Sequence, residues 1–323
     1  MLLSHHWLPA SSALAALCLA SCASHSSGTG PLEVDEASWA ATGAELPVAL
    51  LRTPGQERIS IEEAADELAD ADVIFLGEQH DSAEGHAVQL ALTKAIAERR
   101  GRIVLSMEML ERDSQRLLDM YLRGEIDQEA FRSAARLWPN YQAHYEPAVE
   151  FAREGGHDVL AANVYRPVAS RVARQGLDSA MGEVWAASSV DTSPGEYRDR
   201  FDAVMSGHGG MDEAVMDRFF AAQCIKDDTM AESIARRLAC DPGDPPVVIH
   251  WNGRFHSDYG LGTVERLRAR QPDLNIAVVS MLTDVQLSRP LAEEALNQGH
   301  YIILVQAPRE GQAENQTETQ TAD

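Results

Sequence analysis

The chain has 323 residues, 45% of them apolar, and carries a formal net charge of −23 at pH 7. That length and apolar content suffice for one large domain or two ordinary ones and exclude disorder throughout. The charge speaks against nucleic-acid partners, whose phosphates it would repel, and leaves neutral, cationic or metal-bridged ligands.

At the N-terminus, Leu14 to Ala20 is an apolar run too short to span a bilayer and reads as the core of a signal peptide. It ends in Leu19-Ala20-Ser21-Cys22, which resembles the lipobox of bacterial lipoproteins; an ordinary secretory signal with a chance cysteine is the alternative. Lipidation at Cys22 predicts a membrane anchor, and Ser24 favours the outer membrane. No Lys or Arg precedes the run, a departure from the usual charged start. Residues 23–43 read as a flexible tether, and residues 309–323, rich in Gln, Glu and Thr, as a disordered acidic tail. Residues 44–308 remain for a folded domain.

Within it, Ser60-Ile61-Glu62-Glu63 is a capping box opening a short helix toward Asp70. Strands are predicted at Val73–Leu76, Ile103–Leu105, Asp158–Ala161, Val247–Ile249, Ile276–Val279 and Tyr301–Val305, each apolar without alternation, as strands covered on both faces are. Helices are predicted over Ala83–Arg99 after an Asp81…Glu84 capping box, over Tyr145–Glu154 and over Pro167–Gln175. Ser114–Ala135 and Ser193–Ala239 read as helical insertions forming a lid. The expected fold class is α/β, a mainly parallel sheet flanked by helices.

Ligands of such sheets sit beyond the carboxyl ends of the strands, and the polar residues gather there. After the first strand comes Gly77-Glu78-Gln79-His80-Asp81, with His86 in the next helix; after the second come Glu108 and Glu111; after the fourth comes Asn252-Gly253-Arg254-Phe255-His256. Glu78, His80, Glu108 and His256 are candidate ligands of a divalent transition metal, or catalytic groups of a hydrolase. His250 is expected in a strand as a core group or a support for the site, and His144, His157 and His208 at the surface or in loops.

On the long helix, Gln223, Asp227, Met230 and Ile234 share one face. Gln223 and Asp227 either face solvent or reach the strand-end cluster, with Lys226 and Asp228 at its mouth. Trp138-Pro139-Asn140-Tyr141-Gln142-Ala143-His144-Tyr145 either packs a loop or offers an aromatic wall suited to a porphyrin. Cys224 and Cys240, sixteen positions apart in one predicted helix, are about 24 Å apart by helical rise. They are therefore expected as two unpaired, buried thiols. The absence of Cys-x-x-Cys-His, of a P-loop and of Gly-x-Ser-x-Gly excludes c-type haem attachment, a P-loop NTPase and a standard serine hydrolase.

In order along the chain, Leu76–Asp81, Glu108–Asp113, Leu118-Asp119, Ala162-Asn163-Val164, Gln223–Ala231 and Gly253–His256 make the chain similar to the ChaN family of haem-binding uptake lipoproteins. That family belongs to a superfamily with Tiki, TraB and erythromycin-esterase-like proteins. The resemblance implies an outer-membrane lipoprotein for iron acquisition, haem as cofactor in a pocket completed by a homodimer, and an outer-membrane haem receptor as partner. It implies tyrosine as the iron ligand, with Tyr141, Tyr145, Tyr165 and Tyr259 as candidates and Lys226 as a propionate donor. From the wider superfamily it implies a metal-dependent hydrolytic site at Glu78, His80, Glu108 and His256 with Asn163 as a neighbour; Gln223, Asp227 and Asn252 are read beside it as supporting groups. Trp251 stands where a smaller residue is expected before Asn252.

Overall fold

A computed structural model describes residues 48–306, apart from 54, 208–211, 242, 244 and 286–289. Cys22, His208, the tether and the acidic tail lie outside the described residues. The first two strands, β1 (Val48–Arg52) and β2 (Glu57–Ile59), precede the predicted series; β2, at three residues, gave no readable run. Ser60 caps α1 (Ile61–Leu68) through the predicted box with Glu63. β3 (Val73–Glu78) leads to α2 (Ala83–Arg100), whose cap is Ser82 rather than Asp81, its hydroxyl accepting from the Gly85 amide.

β4 (Ile103–Glu111) is buried throughout and runs six residues past its predicted end, so Glu108 and Glu111 lie in the strand rather than after it. The predicted helix over 114–135 is two helices, α3 (Gln115–Leu122) and α4 (Gln128–Ala134), broken at Gly124, whose φ of 71° no helix accommodates. Then follow α5 (Tyr141–His144), α6 (Glu146–Gly155), β5 (Asp158–Asn163), α7 (Arg166–Gln175), α8 (Glu196–Ser206) and α9 (Glu213–Leu238). The chain continues through β6 (Val247–Gly253), α10 (Thr263–Arg270), β7 (Ile276–Val285), α11 (Glu293–Leu296) and β8 (Tyr301–Gln306). Cys224 is buried, but Cys240 lies past the end of α9 and is exposed; both are free. The expectation of two buried thiols fails for Cys240 because the helix stops before it.

The sheet has eight strands in the order β2-β1-β8-β7-β3-β6-β4-β5. β8 through β5 pair in parallel, and β1 runs antiparallel to both β8 and β2. Alternate residues of each central strand serve two cores. Ile74, Leu76, Leu105, Ile249 and Trp251 enter one core with α1–α3 and α6, while Val73, Phe75, Val104 and Val248 meet Ala231, Ile234, Val264 and Leu267 of α9 and α10. Burial on both faces is why these strands read as continuous apolar runs.

Strand order builds the site. The chain returns from β5 to insert β6 between β3 and β4, pairing Gly77 with Asn252 and Glu78 with Gly253. Both Gly-x-x-His motifs therefore leave the sheet side by side. On the other flank Met107 pairs with Trp251, which sets Glu108 at the same level.

Candidate functional site

Each glycine makes room for the other motif. A Cβ on Gly77 would lie 2.8 Å from Ser257 Oγ and 3.0 Å from Arg254 Cα, inside the turn of the second motif. A Cβ on Gly253 would lie 2.7 Å from His80 Nε2 and 3.5 Å from Glu108 Oε2. The Gly-x-x-His repeat is thus a reciprocal packing device, with the backbone of each turn against the side chains of the other.

Glu78 and His80 form one pair. His80 Nδ1 lies 2.8 Å from Glu78 Oε1, and the Tyr145 hydroxyl donates to the same oxygen at 2.7 Å. The other carboxylate oxygen lies 3.5 Å from His86 Nδ1. Burial alone would raise the Glu78 carboxyl, but His86, His80 and Tyr145 outweigh it and hold it below the ordinary value. Burial likewise disfavours charge on His80, yet Glu78 and Glu108 raise it above its usual range, against the field of His256. Asn140 donates to the His80 carbonyl at 2.8 Å, and the Trp138 ring meets the imidazole edge-on at 4.9 Å between centroids. His80 Nε2 has no protein hydrogen-bond partner among the described residues.

Glu108 and His256 form the second pair. Glu108 accepts from the Gly253 amide at 2.7 Å, and its other oxygen lies 3.3 Å from His256 Nε2. His256 Nδ1 lies 2.6 Å from Asp227 Oδ1, and Asp227 also accepts from Tyr197 at 2.7 Å and Thr263 at 2.9 Å. Burial opposes the imidazolium, but Glu108 and Asp227 push its pKa up to about 10. Burial would raise Glu108, but His256, His80 and Lys226 hold it far below the ordinary range. The structure therefore brings Glu78, His80, Glu108 and His256 to one strand-end site, with an imidazole on each side of Glu108.

The supporting residues hold this set. Asn163 donates to the Glu108 carbonyl at 2.9 Å; Asn252 donates to Ser257 Oγ and the Gly253 carbonyl, each at 2.9 Å. Gln223 Nε2 lies 3.3 Å from His256 Nε2 and 3.2 Å from Tyr197, so the Gln223–Asp227 face of α9 looks into the protein rather than to solvent. Asp228 does not line the mouth: it is buried and paired with Arg266 and Arg270. Lys226 is half-buried, with no ion pair among the described residues. His250 is buried in β6, its Nδ1 2.8 Å from Ser106 Oγ, as expected of a core group.

The aromatic stretch packs over the first pair. Tyr141 and Tyr145 are 2% and 0% exposed, Tyr145 is bonded to Glu78, and His144 stacks on His86 at 4.5 Å. His144 is thus no free surface group, and burial lowers its pKa to about 4. Tyr165 and Tyr259 are the two candidate tyrosines with exposed surface. Sequence reasoning missed Tyr197 and Thr263, which reach Asp227 from other helices and carry no motif of their own.

The four candidate metal ligands are hydrogen-bonded to one another as pairs. No group of three His, Cys, Asp or Glu among the described residues is arranged to hold a metal ion, so the metal reading gains no support. Fold and site together define an α/β protein with two carboxylate–imidazole pairs at the carboxyl edge of a largely parallel sheet. The chain belongs to the family described as haem-binding uptake, Tiki superfamily, ChaN, whose model matches residues 64–267. Among solved structures it is similar to ChaN of Campylobacter jejuni, described for cofacial haem binding, at 20% identity and a TM-score of 0.63 over 79% of this chain and 96% of that one. It is also similar to an erythromycin esterase mutant in its open conformation, at 13% identity and a TM-score of 0.44 over 85% of this chain and 87% of that one. A toxin effector domain from Vibrio vulnificus aligns at 19% identity and a TM-score of 0.40, over 69% of this chain and 36% of that one. No curated protein sequence matches.

Proposed function

We propose that this chain binds haem and serves iron acquisition from a lipid-anchored position at the bacterial outer membrane, handing haem to or from an outer-membrane receptor. The observation that carries the reading is the family match, which spans both Gly-x-x-His motifs and the Gln223–Asp227 face. Among the candidate tyrosines, Tyr165 and Tyr259 are half-buried, whereas Tyr141 and Tyr145 are buried. When bound, haem supplies a ferric iron that a tyrosine oxygen can ligate and two propionates that need cationic partners. Titration of the purified protein with haemin, followed by absorbance, tests the reading. A saturable Soret band at fixed stoichiometry is expected, and featureless, non-saturating absorbance refutes it.

A second reading rests on the two carboxylate–imidazole pairs. His80 Nε2, backed by Glu78, is placed to accept a proton, and His256, held between Asp227 and Glu108, keeps the Glu108 carboxylate charged in the same site. A positioned base of this kind is one of the groups an ester or peptide hydrolase needs. Chelator-resistant hydrolysis abolished by Glu108→Gln would favour this reading.

A further inference from the structure

Three of the four large apolar side chains exposed among the described residues fall within five positions. They are Met181, Val184 and Trp185, at 80%, 75% and 41% exposure; the fourth, Val204, is on α8. Their exposure is built in, because the loop that carries them is held at both ends. Before the tip, Arg171 of α7 donates to the Ser179 carbonyl at 2.9 Å and pairs with Glu183. Past it, Arg112 donates to the Ala186 carbonyl, the Ala187 amide to Thr229 and the Ser188 amide to Glu232, each at 3.0 Å. Ala186 is buried in one cluster with Val168, Ala169 and Val172 of α7. Apolar tips fixed together in water mark a surface that meets a partner.

The helix beside this loop is cationic on its outer side. At about 100° per residue, Arg166, Arg171 and Arg174 lie opposite the buried Val168, Ala169 and Val172. Residues 159–177 contain no Asp or Glu, although the whole chain has 50 acidic against 27 basic residues. Arg174 is exposed with no ion pair among the described residues. Of the acids nearby, Glu111 is buried and Glu183 is taken up by Arg171, which leaves Asp178 exposed. An anionic surface repels a chain of net charge −23, so it can be approached only through a face of this kind.

The chain that leads from Cys22 joins the domain on the same side. Because β1 runs antiparallel to β8, Val48 pairs with Val305 and enters at the carboxyl edge of the sheet. The loop is fastened at that edge too, through Arg112, the first residue past β4. From β1 to β5 there are six strand spacings, about 29 Å. Cys22 precedes Val48 by 26 residues, a reach of up to about 90 Å. A lipid on Cys22 therefore leaves this face free to lie on the bilayer that holds it.

We propose that the Met181–Trp185 loop and the arginine side of α7 form the surface through which the domain rests on an anionic phospholipid bilayer. This rests on the lipid-anchor reading and is independent of haem. Trp185 sits at the headgroup level, where its ring is half apolar and its indole N–H stays wet, with Met181 and Val184 dipping below it. Arg174 and its neighbours face the lipid phosphates. Three side chains and a few cations give a reversible contact, too weak to hold the chain through fractionation without the anchor.

The test uses the full chain, produced as a lipoprotein and reconstituted into vesicles of phosphatidylethanolamine and phosphatidylglycerol with brominated acyl chains, which quench tryptophan on contact. Wild type is compared with Trp185→Phe, Val184→Glu, Arg174→Glu and, as an exposed apolar control off this face, Val204→Glu, each checked for folding by circular dichroism. Trp185→Phe is expected to remove the largest share of the quenching. Val184→Glu and Arg174→Glu should each lower the docked fraction by about fivefold or more, the latter only when phosphatidylglycerol is present, and Val204→Glu should leave it unchanged. If anchored wild type and Trp185→Phe are quenched alike, the docking face is overturned and the anchor stands. A blue-shifted Trp185 spectrum that bromine leaves unquenched assigns the loop to a second copy of the chain and overturns the lipid assignment. If the chain acquires no lipid and stays off the vesicles, both readings fall together.

Discussion

Replacing His256 by Gln removes the imidazolium on which the Glu108 and Asp227 carboxylates converge. In the folded chain Asp227 and Glu108, at 2.6 Å and 3.3 Å, push His256 up to about 10, against about 6.5 in an unfolded chain. A folded-state pKa raised in this way contributes stability that is complete below pH 6.5 and is lost as pH rises toward 10. Between those limits the loss is about 1.4 kcal/mol per pH unit. From pH 7 to pH 9 wild type should lose on the order of 3 kcal/mol through this group alone. His256→Gln titrates nothing there, so its stability should fall less steeply although it is lower overall, with Asp227 and Glu108 left facing each other. Urea unfolding of chelator-treated wild type and variant at half-unit pH steps measures the difference. A wild-type-minus-variant curve that is flat from pH 7 to pH 9 would refute the reasoning, because His256 would then carry the same charge folded and unfolded.

Gly253→Ala should destabilise the protein by about 1–3 kcal/mol, as overpacking does. A Cβ there would lie 2.7 Å from His80 Nε2, so His80 should move and its NMR titration shift, whereas Gly55→Ser, in open space, should leave that titration unchanged. Cys22→Ser, expressed in a Gram-negative host, should move the protein from the membrane to the soluble fraction; retention in the membrane would remove the case for a lipid anchor.

Much of the site was legible in the sequence because it obeys local rules. Strands buried on both faces must be continuously apolar, so the polar residues at their carboxyl ends stand out, and Gly77-x-x-His80 and Gly253-x-x-His256 were visible as a pair. The helical period alone put Gln223 and Asp227 on one face, and they meet His256. Tertiary structure decided the rest. Strand order is fixed by the packing of the whole chain, and only the insertion of β6 between β3 and β4 brings Gly253 to Glu108, 145 positions away. The continuation of β4 to Glu111 depends on β5 pairing beyond a register shift after Met107, which no local pattern announces. The tyrosines needed three dimensions for the same reason: Tyr145, Tyr165 and Tyr259 look alike as residues, and burial against Glu78, a place beside Arg136 or a cover from Arg200 is a property of distant partners. The sequence by itself determined which chemistry the strand ends carry; only the fold decided that four of those groups pair with each other and that the Tyr145 phenol is committed to Glu78.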